Sequence, residues 1–188
     1  MLAIADACAE GIVPARIAVV ISDQSGAPAL DAASRRGIPA VAIDRKKSAS
    51  RTEHDGKMAA VLEERNVRLV CLAGYMRLLS PEFIRRFGGR IMNIHPALLP
   101  SFPGLHPQRQ AVEYGVRVSG VTVHFVDEGC DTGPVILQKA VEVRDDDTEE
   151  TLSERILDEE HRVYPEAIRL YFQNRLRIEG RRVRITGR

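Results

Sequence analysis

Net charge is almost absent from this chain: 27 lysine and arginine residues stand against 26 aspartate and glutamate residues over 188 positions. With no bulk positive field and no acidic tail, composition argues against nucleic acid as a partner and for a small-molecule ligand. Long hydrophobic runs are missing too. No stretch approaches the roughly 18 apolar residues of a membrane span, and no basic region followed by a long apolar run marks the N-terminus. A cytoplasmic protein with no membrane partner is therefore expected. Cysteine is scarce: Cys8, Cys71 and Cys130 are an odd set without metal-like spacing, which suits a reducing compartment. No two histidines stand as His-x-x-x-His, so no metal site is expected. Repeats, low-complexity segments and linkers are lacking as well, and the length fits one domain.

What is present alternates between two kinds of segment. Leu2 to Ala9 has helical spacing and stops before Gly11. Arg16 to Ser22 is a continuous apolar run of the kind that forms a strand buried on both faces. Pro28 to Arg36, with proline near its start and Gly37 past its end, reads as a helix. Ala40 to Ile43 is a short strand, Arg51 to Arg65 an amphipathic helix with Met58, Val61 and Leu62 on one side, and Arg68 to Ala73 a second buried strand. A helix near Pro81 to Arg86 and a strand over Arg90 to Ile94 add one more unit. The order αβαβαβ up to Ala73, extended by that unit, predicts an α/β fold with a doubly wound, mainly parallel sheet. Beyond a proline-rich loop, Gln108 to Tyr114 reads as a helix and Ser119 to Val126 alternates like a half-exposed strand. With Pro134 to Val143 it predicts an antiparallel edge. Thr148 to Phe172 is a long helix with a kink or restart at Pro165, and the basic tail Arg177 to Arg188 suggests a small hairpin around Glu179 and Gly180.

A doubly wound sheet normally opens with a strand and a Gly-rich turn whose N–H groups meet phosphate. Neither precedes Leu2 to Ala9 here. The expectation is one domain over 1–188, lacking its first and usually central strand through truncation at the N-terminus.

The densest chemistry lies in Arg90 to Pro103. In extended chain residues two apart share a side, so Asn93 and His95 point together while Ile94 enters the core. Pro96 holds His95 out of helical geometry, at a strand end where sites in such folds are built. An imidazole and an amide aimed at one atom suit chemistry at a carbonyl; the same spacing also fits a turn-capping Asn and a loop His. Asp131, in a Gly-rich surface turn, would raise the His95 pKa and make it a general acid if the two were close. Cys130 paired with His95 as a thiol nucleophile is the competing chemistry. His54 and His106 fall in segments expected to be exposed, and His124 on the polar side of its strand.

Three stretches together carry a family resemblance: Asn93-Ile-His-Pro-Ala-Leu-Leu-Pro-Ser-Phe-Pro-Gly-Leu, the upstream Leu72-Ala-Gly-Tyr-Met-Arg-Leu-Leu-Ser and the downstream Asp131-Thr-Gly-Pro-Val-Ile-Leu-Gln. With Glu160-His-Arg-Val-Tyr-Pro, they make the chain resemble the phosphoribosylglycinamide formyltransferases, folate-dependent enzymes of purine synthesis with a Rossmann-like fold. The resemblance implies transfer of a formyl group from 10-formyltetrahydrofolate to the amine of glycinamide ribonucleotide through a tetrahedral intermediate. It implies Asn93, His95 and Asp131 as catalytic residues. Folate contacts would come from Arg51, from Met76, Arg77, Leu78 and Leu79, and from Asn93 and the turn Asp127, Glu128, Gly129, Cys130 and Asp131. Ribonucleotide contacts would come from Gly74, Pro96, Leu157 and Glu160. No metal is implied, and the protein would be a monomer or homodimer. The family opens with a strand and a Gly-Ser-Asn type phosphate loop, so a weakened nucleotide site is expected of these residues alone. Within the same chemistry, methionyl-tRNA formyltransferase and 10-formyltetrahydrofolate hydrolase are the alternatives, and a folate-binding remnant without transferase activity is the reading from another class.

Overall fold

The computed structural model describes residues 1–187. Helix α1 (Leu2–Ala9) leads to β1 (Val20–Ser22), α2 (Pro28–Arg35), β2 (Ala40–Ala42) and, after a 3-10 turn at Arg45–Lys47, α3 (Arg51–Glu64). Then come β3 (Val70–Leu72), α4 (Pro81–Arg86), β4 (Ile91–His95), α5 (Pro107–Tyr114), β5 (Val118–Phe125), β6 (Val135–Glu142), α6 (Glu149–Phe172), β7 (Leu176–Glu179) and β8 (Arg182–Ile185). The expected doubly wound α/β fold is what these elements build. Strands β1 and β2 pair in parallel, as do β3 and β4, and β5 and β6 add antiparallel strands beyond β4. The tail forms the expected hairpin, which extends the sheet in the order β3-β4-β5-β6-β8-β7; Arg188 lies outside the described residues.

Helix starts follow local chemistry. The Ser50 hydroxyl accepts the Glu53 N–H at 3.1 Å to open α3, and Ser80 caps α4 through the Phe83 N–H at 3.3 Å. Thr148 and Thr151 cap α6 reciprocally. That helix runs unbroken through Pro165, so no restart occurs; the proline is buried in the core, where packing offsets the lost N–H.

Successive residues of β4 face different layers. Met92 and Ile94 pack with Ala7 of α1, Ala111 of α5 and Leu152, Ile156 and Val163 of α6. Ile91 packs with Met58 and Leu62 of α3 and Phe83 of α4 on the other side. Asn93 and His95 therefore leave the sheet on the α3 and α4 side, beyond that second core.

Three expectations change. Ser119 to Phe125 of β5 is buried throughout rather than half-exposed, because Thr122 and His124 on its polar side are covered and hydrogen-bonded. His54 is buried, not solvated: its Nε2 donates to the Ile43 carbonyl at 3.0 Å and its Nδ1 lies 3.3 Å from Asp55. Strands β1 and β3 are half-buried three-residue pieces instead of long strands covered on both faces. Among the described residues each pairs on one edge only, β1 with β2 and β3 with β4.

Candidate active site

Antiparallel pairing sets Asn93 opposite His124 and His95 opposite Thr122. Cross-strand partners share a face, so four polar side chains gather at the C-terminal end of β4. Asp131 joins them from the loop between β5 and β6. Its backbone has φ of 54°, a conformation that non-glycine residues adopt sparingly.

Asp131 is the hub. Its Oδ2 accepts the Gly104 N–H at 2.9 Å and faces His95 Nδ1 at 3.4 Å; its Oδ1 lies 3.5 Å from Asn93 Nδ2 and 3.7 Å from His124 Nε2. Burial pushes the carboxyl upward, but the histidines and the Gly104 N–H outweigh it and hold Asp131 at about 2. It is ionised at neutral pH.

His95 Nε2 lies 2.8 Å from the Phe102 carbonyl, which only accepts, so that nitrogen carries hydrogen. Nδ1 then faces Asp131. Burial lowers the His95 pKa below its ordinary value and outweighs the Phe102 carbonyl and Asp131, which pull upward. The expected elevation of His95 by Asp131 is thus corrected in direction: the carboxylate is adjacent, but desolvation is larger. Geometry and burial oppose each other here, since the charged ring alone would have an acceptor at both nitrogens.

His124 was missed from sequence, where Thr122-Val-His alternation reads as a polar strand face. Its Nδ1 donates to the Phe125 carbonyl at 2.9 Å, leaving Nε2 to accept from Asn93 Nδ2 at 3.3 Å. This orients the Asn93 amide with its N–H groups toward the cluster. The pairing register was the missing signal.

The loop after β4 is fastened from beneath. The buried Thr122 hydroxyl donates to the Ala97 carbonyl at 2.7 Å and accepts the Leu99 N–H at 3.0 Å. Gln138 adds a bond to the Leu99 carbonyl at 2.8 Å and one to Thr122 at 3.0 Å. These contacts place Phe102 against His95. Pro96, between them, is half-buried.

Of the other candidate residues, Cys130 alone has a side-chain polar contact with Asn93, His95 or Asp131 among the described residues. Gly74, with φ of 69°, turns the chain out of β3. Met76 is 74% exposed and Leu78 49%, whereas Leu79 is turned into the α3 and α4 core. The Arg77 Nη1 is buried without a hydrogen-bond partner. Arg51 is exposed at the start of α3. In the β5–β6 loop, Asp127 accepts the Gly129 N–H at 3.1 Å and the Thr132 hydroxyl at 2.6 Å, and Glu128 is exposed 3.7 Å from Arg85. The exposed Cys130 lies 3.6 Å from Asp131, and burial together with that charge pushes its thiol pKa up, against a role as thiolate nucleophile. On α6, Leu157 is exposed, and burial pushes Glu160 up to about 7. The described residues contain no cluster of metal-ligating side chains and no helix long and apolar enough to cross a membrane.

Residues 1–168 match the model of the formyl transferase family. A phosphoribosylglycinamide formyltransferase of Haemophilus influenzae is 38% identical over 98% of this chain and 87% of its own length. The crystal structure of glycinamide ribonucleotide transformylase 1 from Symbiobacterium toebii superposes with a TM-score of 0.97 at 56% identity, covering 98% of this chain and 87% of that one. The trifunctional purine biosynthetic protein adenosine-3 of Gallus gallus is 51% identical over 83% of this chain, which spans only 16% of that protein.

Proposed function

Because the chain belongs to the formyl transferase family and aligns along its length with phosphoribosylglycinamide formyltransferases, we propose that it transfers the formyl group of 10-formyltetrahydrofolate to the amine of glycinamide ribonucleotide. The observation that carries the mechanism is the convergence of Asn93, His95 and Asp131 at the end of β4. Attack of the amine on the formyl carbon forms one C–N bond and puts negative charge on the formyl oxygen. Collapse breaks the formyl bond to the folate nitrogen. The amine gives up one proton and the leaving nitrogen gains one.

Asn93 meets the oxygen with an amide N–H. Its 3.5 Å contact with Asp131 is long enough to be exchanged for a better acceptor, while the bond to His124 keeps the amide oriented. His95 is mainly neutral in the free protein, and charge developing on the oxyanion raises its proton affinity beside a fixed carboxylate. It then donates to the oxygen and supplies the leaving nitrogen. Asp131, ionised throughout, stabilises the imidazolium that forms when His95 takes the amine proton through water, and that proton then passes to the leaving nitrogen.

Folate would lie against the exposed Met76 and Leu78 and the backbone through Leu79, with Asp127, Glu128, Gly129 and Cys130 on the other side. Arg51 and Arg77 supply positive charge for its carboxylate tail. Gly74, Pro96, Leu157 and Glu160 would border the ribonucleotide, with Glu160 accepting from ribose hydroxyls.

The test is formation of formylated ribonucleotide from 10-formylfolate and glycinamide ribonucleotide, followed in parallel with folate product. Product that requires both substrates and is lost in Asp131→Asn supports the proposal. Folate release independent of the ribonucleotide would instead indicate hydrolysis and overturn it.

A further inference from the structure

Helix α3 buries a carboxyl where its packing calls for an apolar side chain. His54, Asp55, Met58, Ala59 and Leu62 form its covered side, and the last four of these recur at the spacing of one helical stripe. Met58, Ala59 and Leu62 pack into the α3 and α4 core, and Asp55 is as covered as they are, at 1% exposed. Aspartate is seldom buried so fully unless its oxygens are matched. Here both are. Oδ2 accepts the Ser80 N–H at 2.6 Å, and Oδ1 lies 3.3 Å from Nδ1 of His54, a ring tied in turn through Nε2 to the Ile43 carbonyl. The line Ile43, His54, Asp55, Ser80 joins the end of β2 to the start of α4 through the inside of α3.

Ser80 closes the segment Gly74 to Leu79. Among the described residues that segment makes no backbone–backbone hydrogen bond of its own. It is held from outside at its two ends: the Tyr164 hydroxyl donates to the Leu72 carbonyl at 2.8 Å ahead of it, and Asp55 takes the Ser80 N–H behind it. The Ser80 hydroxyl then accepts from Phe83 and its carbonyl from Ile84 to open α4, so Asp55 acts where the free segment meets the helix. Within the segment Met76 and Leu78 are exposed and Arg77 carries a buried nitrogen without a partner, and these are residues proposed to meet folate. The Tyr75 hydroxyl is pushed up to about 12 by burial, Asp55 and Asp23, against Arg77 and Arg51. That tyrosine thus stands among the buried carboxyl and both arginines proposed for the folate tail.

We propose that Asp55 is a positioning residue for folate: by holding the Ser80 N–H it sets where Met76 to Leu79 stand over the cleft, without touching folate itself. This role rests on the formyl-transfer reading. Asparagine meets the same demands, its Oδ1 accepting the Ser80 N–H and its amide donating to His54 Nδ1. Alanine leaves the Ser80 N–H buried and unpaired. Without the anchor, folate has to order the segment as it binds, and that cost is subtracted from folate affinity. Ribonucleotide affinity is spared, because Gly74 lies at the end held by Tyr164.

Steady-state kinetics and amide hydrogen exchange on the native chain, Asp55→Ala and Asp55→Asn test the role. Asp55→Ala is expected to raise KM for 10-formylfolate by about tenfold or more, with kcat and KM for glycinamide ribonucleotide within about threefold. Exchange of the Ser80 amide should quicken by about 100-fold, with Val121 and Val123 of β5 unchanged. Asp55→Asn should restore both the folate KM and the slow Ser80 exchange. A folded Asp55→Ala protein with the native folate KM, an equal rise in both KM values, or an asparagine variant as damaged as the alanine one overturns the role. If Asp55→Ala does not fold, the other two proteins decide: loss of folate affinity in Asp55→Asn, or a native Ser80 amide that exchanges as fast as an open loop, overturns it. No ribonucleotide-dependent product from the native chain would refute the formyl-transfer reading, whereas Ser80 exchange is read without substrate and tests the anchor by itself.

Discussion

Thr122→Val keeps the shape of a fully buried side chain and removes one hydroxyl on which the loop over the site depends. In the native chain that hydroxyl donates to the Ala97 carbonyl at 2.7 Å and accepts from the Leu99 N–H at 3.0 Å. Gln138 retains its bond to the Leu99 carbonyl at 2.8 Å. The substitution therefore strands two buried backbone groups, each costing about 1–3 kcal/mol, and partial relaxation puts the net loss at about 2–4 kcal/mol. For a domain of this size that is about 5–15 °C in Tm. The same loop delivers the Phe102 carbonyl to His95 at 2.8 Å, so its loosening should lower kcat/KM by about tenfold or more. Thr122→Ser loses only a methyl group, should cost about 1 kcal/mol, and should keep the activity. Urea denaturation with steady-state kinetics on the two variants checks the argument. If Thr122→Val is within about 0.5 kcal/mol of the native chain, or if the serine variant is equally damaged, the hydroxyl is not the fastening point.

Glu160 gives a pH signature. Because burial raises it to about 7 from an ordinary 4.5, the folded state holds its proton more tightly than the unfolded state, and stability falls as pH rises from about 4.5 through about 7. The ceiling on that loss is about 3 kcal/mol; Glu160→Gln should flatten this part of the stability profile in urea titrations at pH 5 to 8, and an unchanged slope would refute the assignment. At Gly133 an added Cβ would stand 1.8 Å from the Phe125 carbonyl oxygen. Gly133→Ala should therefore displace the loop carrying Asp131 and cost about 2 kcal/mol or more, and a denaturation midpoint equal to the native one would contradict this. Cys130→Ala should retain activity within about twofold, since the thiol pKa is raised rather than lowered; a large loss would revive the thiol chemistry.

Local punctuation made many elements legible. Pro81 to Arg86 is found with the expected ends, because a capping serine and an N-terminal proline act within one turn. The shared face of Asn93 and His95 followed from strand alternation alone. What joins them to Asp131 did not, for it depends on β4 and β5 pairing and on a loop 36 residues further along. His124 was hidden for the same reason, its polar character reading as exposure when its neighbour across the ladder is Asn93. His54 stands one helical turn before Met58 on the buried side of α3, a spacing that places it inside despite its polarity. The long apolar runs around β1 and β3 read as strands buried on both faces, whereas the paired segments are three half-buried residues each.

The most direct measurement is kcat/KM for formyl transfer from 10-formylfolate to glycinamide ribonucleotide, in the native sequence and in Asn93→Ala, with their denaturation midpoints compared. Loss of the amide that meets the oxyanion should reduce kcat/KM by about 100-fold to 1,000-fold, mainly through kcat, with the fold intact. Transfer within about threefold of the native sequence, by a folded Asn93→Ala protein, would contradict the account.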